Sequence, residues 1–398
     1  MKMKETVRVS MMRDLSIYIH IPFCVRKCRY CDFLSYPAPL KEQEEYLQLL
    51  LLEIEKQSLL YKDHRVISVF IGGGTPSLLD QMAVEKIINK LNQDFIFSES
   101  PEITIEANPG TVTKEKLAAW KKAGINRLSI GAQSCDDSEL RTLGRIHDHR
   151  TFCTMYEAAR ESGFVNINID LMAAIPGQTY DSYRQTLEKV LKLAPEHISA
   201  YSLILEEGTW FYEHQNELVF LTEEEDRRLY ELTGEMLAAY GYRRYEISNY
   251  AREGYECLHN KVYWQRGDYV GFGLGAASMV EEVRWNNACS FNEYRDMLQR
   301  YESAGAAAVP ARTAFGENIT YLSPEEQMEE FMFLGLRLMQ GVSRNKFAKK
   351  FKRPMQDVYG EVIENLKADG LLVENGDHIR LTPYGIDISN YVMAKFLL

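Results

Sequence analysis

Asn166-Ile167-Asn168-Ile169-Asp170-Leu171 alternates polar and apolar side chains without a break. Side chains on an extended strand point to opposite faces in turn. Asn166, Asn168 and Asp170 therefore share one face, and Ile167, Ile169 and Leu171 the other. Glu102-Ile103-Thr104-Ile105-Glu106 repeats the pattern, and so does Arg127-Leu128-Ser129-Ile130-Gly131-Ala132-Gln133. A parallel sheet covered by helices on both faces reads instead as nearly continuous apolar runs. Exposure of one strand to water would explain one such pattern. Three of them point to a sheet curved around a polar interior that holds a ligand.

Around these strands, β-like runs at 16–21, 66–71, 102–107, 127–130, 166–171 and 197–203 alternate with helical segments, among them 82–91, 114–122, 152–161 and 182–191. Six βα units imply a parallel sheet. The expected class is α/β, a partial (β/α)6 relative of the (β/α)8 barrel, with ligands at the C-terminal ends of the strands. After residue 205 the pattern changes. Residues 223–240 read as an amphipathic helix, and 245–292 are rich in Gly, Tyr, Trp and Asn without long helical periodicity. Helices return at 325–339, 343–351 and 355–369, and 371–382 reads as a hairpin turning at Asn375-Gly376. Together these predict a winged-helix-like C-terminal domain. The expected division is an extension (1–14), a core domain (15–240), a mixed connecting region (241–322) and the C-terminal domain (323–398).

At 398 residues the chain has room for two or three such units. Its net charge of −11 argues against broad nucleic-acid binding, which needs a basic surface. Winged helices often bind DNA, but Lys346, Lys349, Lys350, Lys352 and Arg353 read as a solvated helix face and loop. A DNA reader with a redox-sensing metal site is therefore the weakest functional class here, and no nucleic-acid partner is expected. The N-terminus is basic but lacks the apolar stretch of a secretory signal. No segment approaches the roughly 18 apolar residues of a membrane span. The expectation is a soluble protein of the reducing cytoplasm.

Chemistry concentrates just after the first strand, in Tyr18-Ile-His20-Ile-Pro22-Phe23-Cys24-Val-Arg-Lys-Cys28-Arg-Tyr30-Cys31. Cys24, Cys28 and Cys31 stand at C-x3-C-x2-C and form an incomplete metal cage. Thiolates suit soft metals and iron–sulfur clusters. A [4Fe–4S] cluster on three cysteines keeps one iron open to a small molecule. Structural zinc would want a fourth ligand, and His20 lies back on the strand. A disulfide framework fits neither the compartment nor the count of seven cysteines. Gly72-Gly73-Gly74-Thr75-Pro76 follows the second strand, and consecutive glycines let a ligand approach the backbone closely.

The cysteine spacing is the signature of the radical SAM superfamily, in which S-adenosylmethionine (SAM) binds the open iron. Over most of its length the chain is similar to the oxygen-independent coproporphyrinogen III oxidase family, in its HemW branch of heme chaperones. The resemblance implies that Gly73, Gly74 and Thr75 belong to the SAM loop. It implies further SAM contacts from Glu106 in Glu-Ala-Asn-Pro-Gly, Gln133 in Gly-Ala-Gln-Ser, Arg145 in Leu-Gly-Arg-Ile-His and Asp170 in Asn-Ile-Asp-Leu, with Tyr18 and Tyr30 bordering the site. The chemistry suits these roles. Glu106 and Asp170 can accept from an ammonium or ribose hydroxyls, Arg145 can pair with a carboxylate, and Gln133 can donate and accept. Each residue alone also fits a structural role; their joint occurrence in family order carries the resemblance.

Two departures and one motif bear on activity. The coproporphyrinogen oxidases carry a fourth cysteine two residues after the third, where this chain has Phe33. The decarboxylation of coproporphyrinogen therefore does not follow from the resemblance. His259-Asn260-Lys-Val-Tyr263-Trp264 matches the H-N-x-x-Y-W element of the HemW branch, which implies heme with His259 as a ligand. A purely structural role for His259, in the core with its aromatic neighbours, explains the same residues. Ala277 stands where relatives can carry His. The resulting expectation is a heme chaperone that holds a [4Fe–4S] cluster, SAM and heme, and delivers heme to acceptor hemoproteins of the respiratory chain. The rival is a catalytic radical SAM enzyme acting on a tetrapyrrole through a 5′-deoxyadenosyl radical.

Overall fold

The computed structural model describes residues 12–303 and 316–398. Most of the expected N-terminal extension and part of the connecting region lie outside the described residues. Strands β1 (Arg13–Ile21), β2 (His64–Gly73), β3 (Phe97–Ala107), β4 (Arg127–Gln133), β5 (Ile167–Ala173) and β6 (His197–Ser202) lie side by side in chain order, all parallel. Helices Gln81–Asp94, Lys114–Ala123, His149–Glu161 and Tyr180–Leu193 connect them. Each starts at a side-chain cap, Asp80, Thr113, Asp148 or Thr179, which accepts from a first-turn backbone N–H. The expected βα alternation is the observed one.

The sheet does not end at six strands. Beyond β6, strands β7 (Arg243–Glu246) and β8 (Asn249–Ala251) add antiparallel neighbours in the order β6-β8-β7. On the other side β9 (Tyr269–Phe272) pairs parallel to β1 and carries β10 (Ala277–Val280), β11 (Val283–Asn287) and β12 (Gly316–Tyr321). Both ends of the six-strand run are thus taken by further strands, and among the described residues the pairing forms one twelve-strand sheet. The added strands are only three to six residues long, too short for period two to register in 245–292.

The apolar half of each alternating strand faces the helices. Ile17, Ile19, Val69, Ile71, Ile103, Ile105, Leu128, Ile130, Ile167 and Ile169 pack with Leu50, Ile54, Val84, Ile88, Trp120 and Leu187 in one core. Full burial of each such side chain contributes about 1.5–3 kcal/mol. The polar halves face inward, away from those helices.

The C-terminal unit has its own core, including Met332, Phe347, Tyr359, Ile363, Ile379 and Phe396. Helices Pro324–Gly335, Arg344–Phe351 and Gln356–Ala368 pack with a small antiparallel sheet in the order β13 (Val342–Ser343), β15 (His378–Leu381), β14 (Leu372–Asn375). The arrangement is winged-helix-like. Asn375 pairs with His378, so the hairpin loop is Gly376-Asp377, one residue later than expected. Gly376 takes the left-handed position at φ 59°, which costs glycine least. This unit is tied to the sheet by Arg337 to Glu246 (3.4 Å) and by Arg266 to Glu330 (2.9 Å), and Arg266 also pairs with Glu282 (2.6 Å). Within the basic run, Lys350 is already paired to Glu282 at 2.6 Å. No described helix is long and apolar enough to cross a membrane.

Candidate functional site

The loop after β1 folds back on itself before the long helix Leu40–Ser58. The Cys24 N–H donates to the Tyr36 carbonyl (3.1 Å), Cys31 to Cys28 (3.2 Å), and the His20 ring Nε2 lies 2.8 Å from the Leu34 carbonyl. This fold turns Cys24, Cys28 and Cys31 toward one cavity at the C-terminal ends of the parallel strands. All three are free thiols. Burial pushes the Cys24 and Cys31 thiols above their ordinary range, so metal loading there would displace protons. Among the described residues no three His, Cys, Asp or Glu side chains gather as the ligand set of a single ion.

The wall opposite the thiols is built by strand ends. Gly73 sits at φ 115°, and a Cβ there would lie 2.6 Å from the His20 ring; one on Gly74 would lie 2.7 Å from the Phe23 carbonyl. Glycine is required where chain and loop come this close. Thr75 follows, its hydroxyl accepting from Asn108 at 3.1 Å. The Gly73 N–H donates to Glu106 at 3.1 Å. Burial, then the nearby Asp170 charge, push the Glu106 carboxyl up to about 8. Burial also raises Asp170, against hydrogen bonds from Asn168 (2.7 Å) and Ser129 (3.1 Å). With both carboxyls raised in one cavity, a cationic ligand there would favour their ionised forms.

Arg145 is engaged within the wall. Its Nη2 donates to the Gly131 carbonyl (2.8 Å) and to Asn108. Its Nη1 reaches the Tyr30 hydroxyl (3.4 Å) and the Cys28 sulfur (3.7 Å). A permanent positive charge thus stands beside a thiol, which suits an anionic cluster. Gln133 ends β4 at φ 67°, where the β4–β5 register shifts, and accepts from Tyr201 at 3.0 Å. Backbone strain of this kind is held in place by its surroundings and concentrates at functional sites.

Cys24, Cys28, Cys31, Tyr30, Gly73, Gly74, Thr75, Glu106, Gln133, Arg145 and Asp170 therefore line one cavity. Asn108, Ser129 and Tyr201 join them, although sequence reasoning did not select them. Asn108 stands two residues after Glu106, and Ser129 and Tyr201 occupy the polar positions of their strands, which is the signal that could have found them. Phe33, at the position of the absent fourth thiol, is exposed at the cavity edge.

Tyr18 and His259 do not line this cavity. Tyr18 stacks on Phe70 and lies 3.0 Å from His20 Nδ1, one layer below the cavity floor. His259 is deeper. Its Nδ1 lies 2.9 Å from the Ser68 hydroxyl and its Nε2 3.0 Å from the Tyr263 hydroxyl. Ser68 is roughly 16 Å along β2 from the Gly73 end. The ring is 1% exposed, and burial, then the charge of Arg127, push its pKa down to about 3. Ligation of heme by His259 through Nε2 would require the contact with Tyr263 to open, while Nδ1 could keep Ser68. The helix Leu258–Trp264 that carries it is clamped by Glu102, which accepts from the Leu258 and His259 N–H groups, both at 3.0 Å. The inward polar face thus serves two purposes. Glu106, Gln133 and Asp170 face the cavity; Glu102, Arg127 and Asn168 belong to the layer beneath. There Asn168 bonds His197 (2.6 Å), and His197 bonds Tyr245 (2.9 Å).

The radical SAM superfamily profile matches residues 18–190, and the HemN C-terminal domain profile matches 322–388. The chain is 36% identical to the heme chaperone HemW of Bacillus subtilis (strain 168), over 96% of this chain and 99% of that protein. It is 32% identical to the heme chaperone HemW of Escherichia coli (strain K12), over 96% and 98%. The solved coproporphyrinogen III oxidase (HemN) of Escherichia coli, a radical SAM enzyme, shares the fold at a TM-score of 0.82 and 22% identity, over 99% of this chain and 93% of that one.

Proposed function

The chain belongs to the radical SAM superfamily and, within it, to the HemW family; from that premise we propose that it is a cytoplasmic heme chaperone. It takes a [4Fe–4S] cluster on Cys24, Cys28 and Cys31, SAM in the adjoining cavity and heme as cargo, which it delivers to hemoproteins of the respiratory chain. The observation that carries the cofactor reading is the single cavity shared by the three thiols and by Glu106, Gln133, Arg145 and Asp170. When bound, a cluster of this kind supplies single electrons and one iron free of protein ligands.

The chain's own residues have separable tasks. Glu106 and Asp170 attract the cationic parts of SAM, and Glu106 gives up its proton as that charge arrives. Gly73 and Gly74 admit the ligand against bare backbone. Gln133, braced by Tyr201, offers both a donor and an acceptor. Arg145 fixes Tyr30 and Asn108 and sets a positive charge beside Cys28. Phe33 in place of a fourth thiol favours carriage over decarboxylation.

Anaerobic reconstitution with iron and sulfide tests the reading, followed by heme titration and incubation with SAM, reductant and coproporphyrinogen III. We expect brown protein whose cluster absorbance vanishes when the three cysteines become alanine, heme uptake, and no decarboxylated product. Protein that stays colourless, or that takes up no heme, overturns the proposal. Product formation would replace it with a catalytic radical SAM enzyme.

A further inference from the structure

The chain that follows β6 meets three other loops at the C-terminal ends of the strands. The Leu203 N–H donates to the Ala173 carbonyl at the end of β5 (2.9 Å), and further on the Val219 carbonyl accepts from the Gly177 N–H (3.3 Å). Between these ties lies the four-residue helix Trp210–Glu213, capped by Thr209. Phe211 is fully buried in a small core with Leu143, Met172 and Ile175, and Tyr30 and Tyr201 pack against that core. Both tyrosines line the cofactor cavity. The Phe211 N–H donates to the Arg29 carbonyl (3.0 Å), and the Arg29 N–H donates to the Leu143 carbonyl (3.0 Å). The Arg29 guanidinium donates to the Thr142 carbonyl (3.3 Å) and lies 4.3 Å over the Trp210 ring. The Trp210 and His214 rings stack at 4.1 Å, and His214 Nδ1 lies 2.9 Å from the Trp210 carbonyl.

We propose that residues 203–221 form a strap over the cysteine loop, and that Trp210 is a positioning residue which holds the turn carrying Cys28 and Cys31 ready for the cluster. The proposal rests on the cluster-binding reading above and deepens it. Among the described residues, Arg29 is the one position in 25–33 whose backbone bonds to other elements, through both its N–H and its carbonyl. It stands between Cys28 and Tyr30-Cys31, so those two bonds and the stacked guanidinium fix the stretch that carries two of the three thiols. Cys24 is held separately, by the Tyr36 carbonyl. Arg26 adds a side-chain bond to the Gly144 carbonyl (2.9 Å), on the Leu143 side of the loop. Trp210 and Phe211 supply the hold from the other side. Groups that orient metal ligands without touching the metal decide how well it is kept. A cation stacked on an aromatic face contributes more as water is excluded, and Trp210 is half-buried. The topology makes this contact a closure. The cysteine loop follows the first strand of the six-strand run and the strap follows the last, so Arg29 meeting Phe211 and Trp210 joins the two ends of that run beside the cavity. The small core under the strap also seats Tyr30, 3.4 Å from Arg145, and Tyr201, which donates to Gln133. Loosening the strap therefore reaches the SAM wall as well as the thiols.

The test uses full-length protein reconstituted anaerobically with iron and sulfide, reduced with dithionite and titrated with SAM. Trp210→Ala should fold, by circular dichroism, and take up the cluster. An iron chelator should then strip that cluster about threefold to tenfold faster than from the parent. The change that SAM induces in the electron paramagnetic resonance spectrum should need severalfold more SAM. Trp210→Phe keeps an aromatic face under Arg29 and should restore both properties. Arg29→Ala should raise the stripping rate at least as much, and adding Trp210→Ala to it should change little further, because both remove one contact. Tyr212→Ala, at the exposed neighbouring position, should match the parent. If Trp210→Ala keeps its iron and answers SAM as the parent does, the strap falls and the cluster reading stands. The strap also falls if Trp210→Phe restores neither property, or if Tyr212→Ala behaves as Trp210→Ala does. A parent that takes up no cluster sinks both.

Discussion

Gly73 has the narrowest tolerance in the cofactor cavity. Its φ of 115° and the His20 ring 2.6 Å from any added Cβ make Gly73→Ala doubly unfavourable. We expect a loss of about 2 kcal/mol in urea unfolding together with loss of SAM binding by calorimetry. Glu106 gives a pH signature. Its carboxyl titrates near 8 in the free site, and a cationic ligand favours the ionised form, so binding releases a proton below that pH. SAM affinity should therefore rise from pH 6 to about 8 and level off above. Glu106→Gln should flatten the profile and weaken binding roughly tenfold or more, the loss of a charge-assisted hydrogen bond worth about 1.5–3 kcal/mol. An unchanged slope in the variant would assign the titration to another group. Both residues were legible in the sequence because their signals are local: a glycine run after a strand, and an acid on an alternating face. The engagement of Arg145 by Asn108, Gly131 and Tyr30 was not. It joins Arg145 to groups 14 to 115 residues away, one of them a backbone carbonyl, and no local pattern encodes such a meeting.

Among the elements, the helix Leu258–Trp264 is the one most dependent on a distant residue. It has seven residues, too few to be stable alone. Glu102 accepts its first two N–H groups and opposes the positive end of its dipole. Glu102→Ala leaves those donors buried and removes a carboxylate from beside Arg127. We expect a stability loss of about 3 kcal/mol, read as a lowered urea midpoint with an unchanged slope. A loss below about 0.5 kcal/mol would mean that the helix is held by packing alone. The polar face of β3 to β5 was read from period two as a ligand cavity, and its upper layer lines a cavity. Its lower layer, where Glu102, Arg127 and Asn168 lie, carries the same sequence signal for a structural purpose. Alternation reveals which face is polar but not what meets it, and here the partner is more than 150 residues downstream of Glu102.

At the scale of the molecule, the two cores meet through polar ties that include Arg337 to the fully buried Glu246, Arg266 and Arg284 to Glu330, Lys350 to Glu282 and Arg227 to Asp387. Arg337 also lies 4.2 Å over the Trp264 ring. Arg337→Ala should cost about 3 kcal/mol by leaving that carboxylate unpaired, and should split calorimetric unfolding into two transitions as the C-terminal unit melts separately. A single transition shifted as a whole would show that other contacts suffice to couple the cores. The six-strand run could be read in advance because each strand is long enough to show its period. The extension to twelve could not, since it depends on β9 returning to lie beside β1. That return has a consequence during synthesis. The first strand off the ribosome gains β2 early, yet its other edge finds a partner only roughly 250 residues later. At about 5–20 residues per second this is on the order of 10–50 s, during which an apolar strand shows open backbone to every neighbouring nascent chain. A polypeptide stalled or cleaved before residue 269 keeps that edge permanently, and such fragments should precipitate where the complete chain stays dispersed.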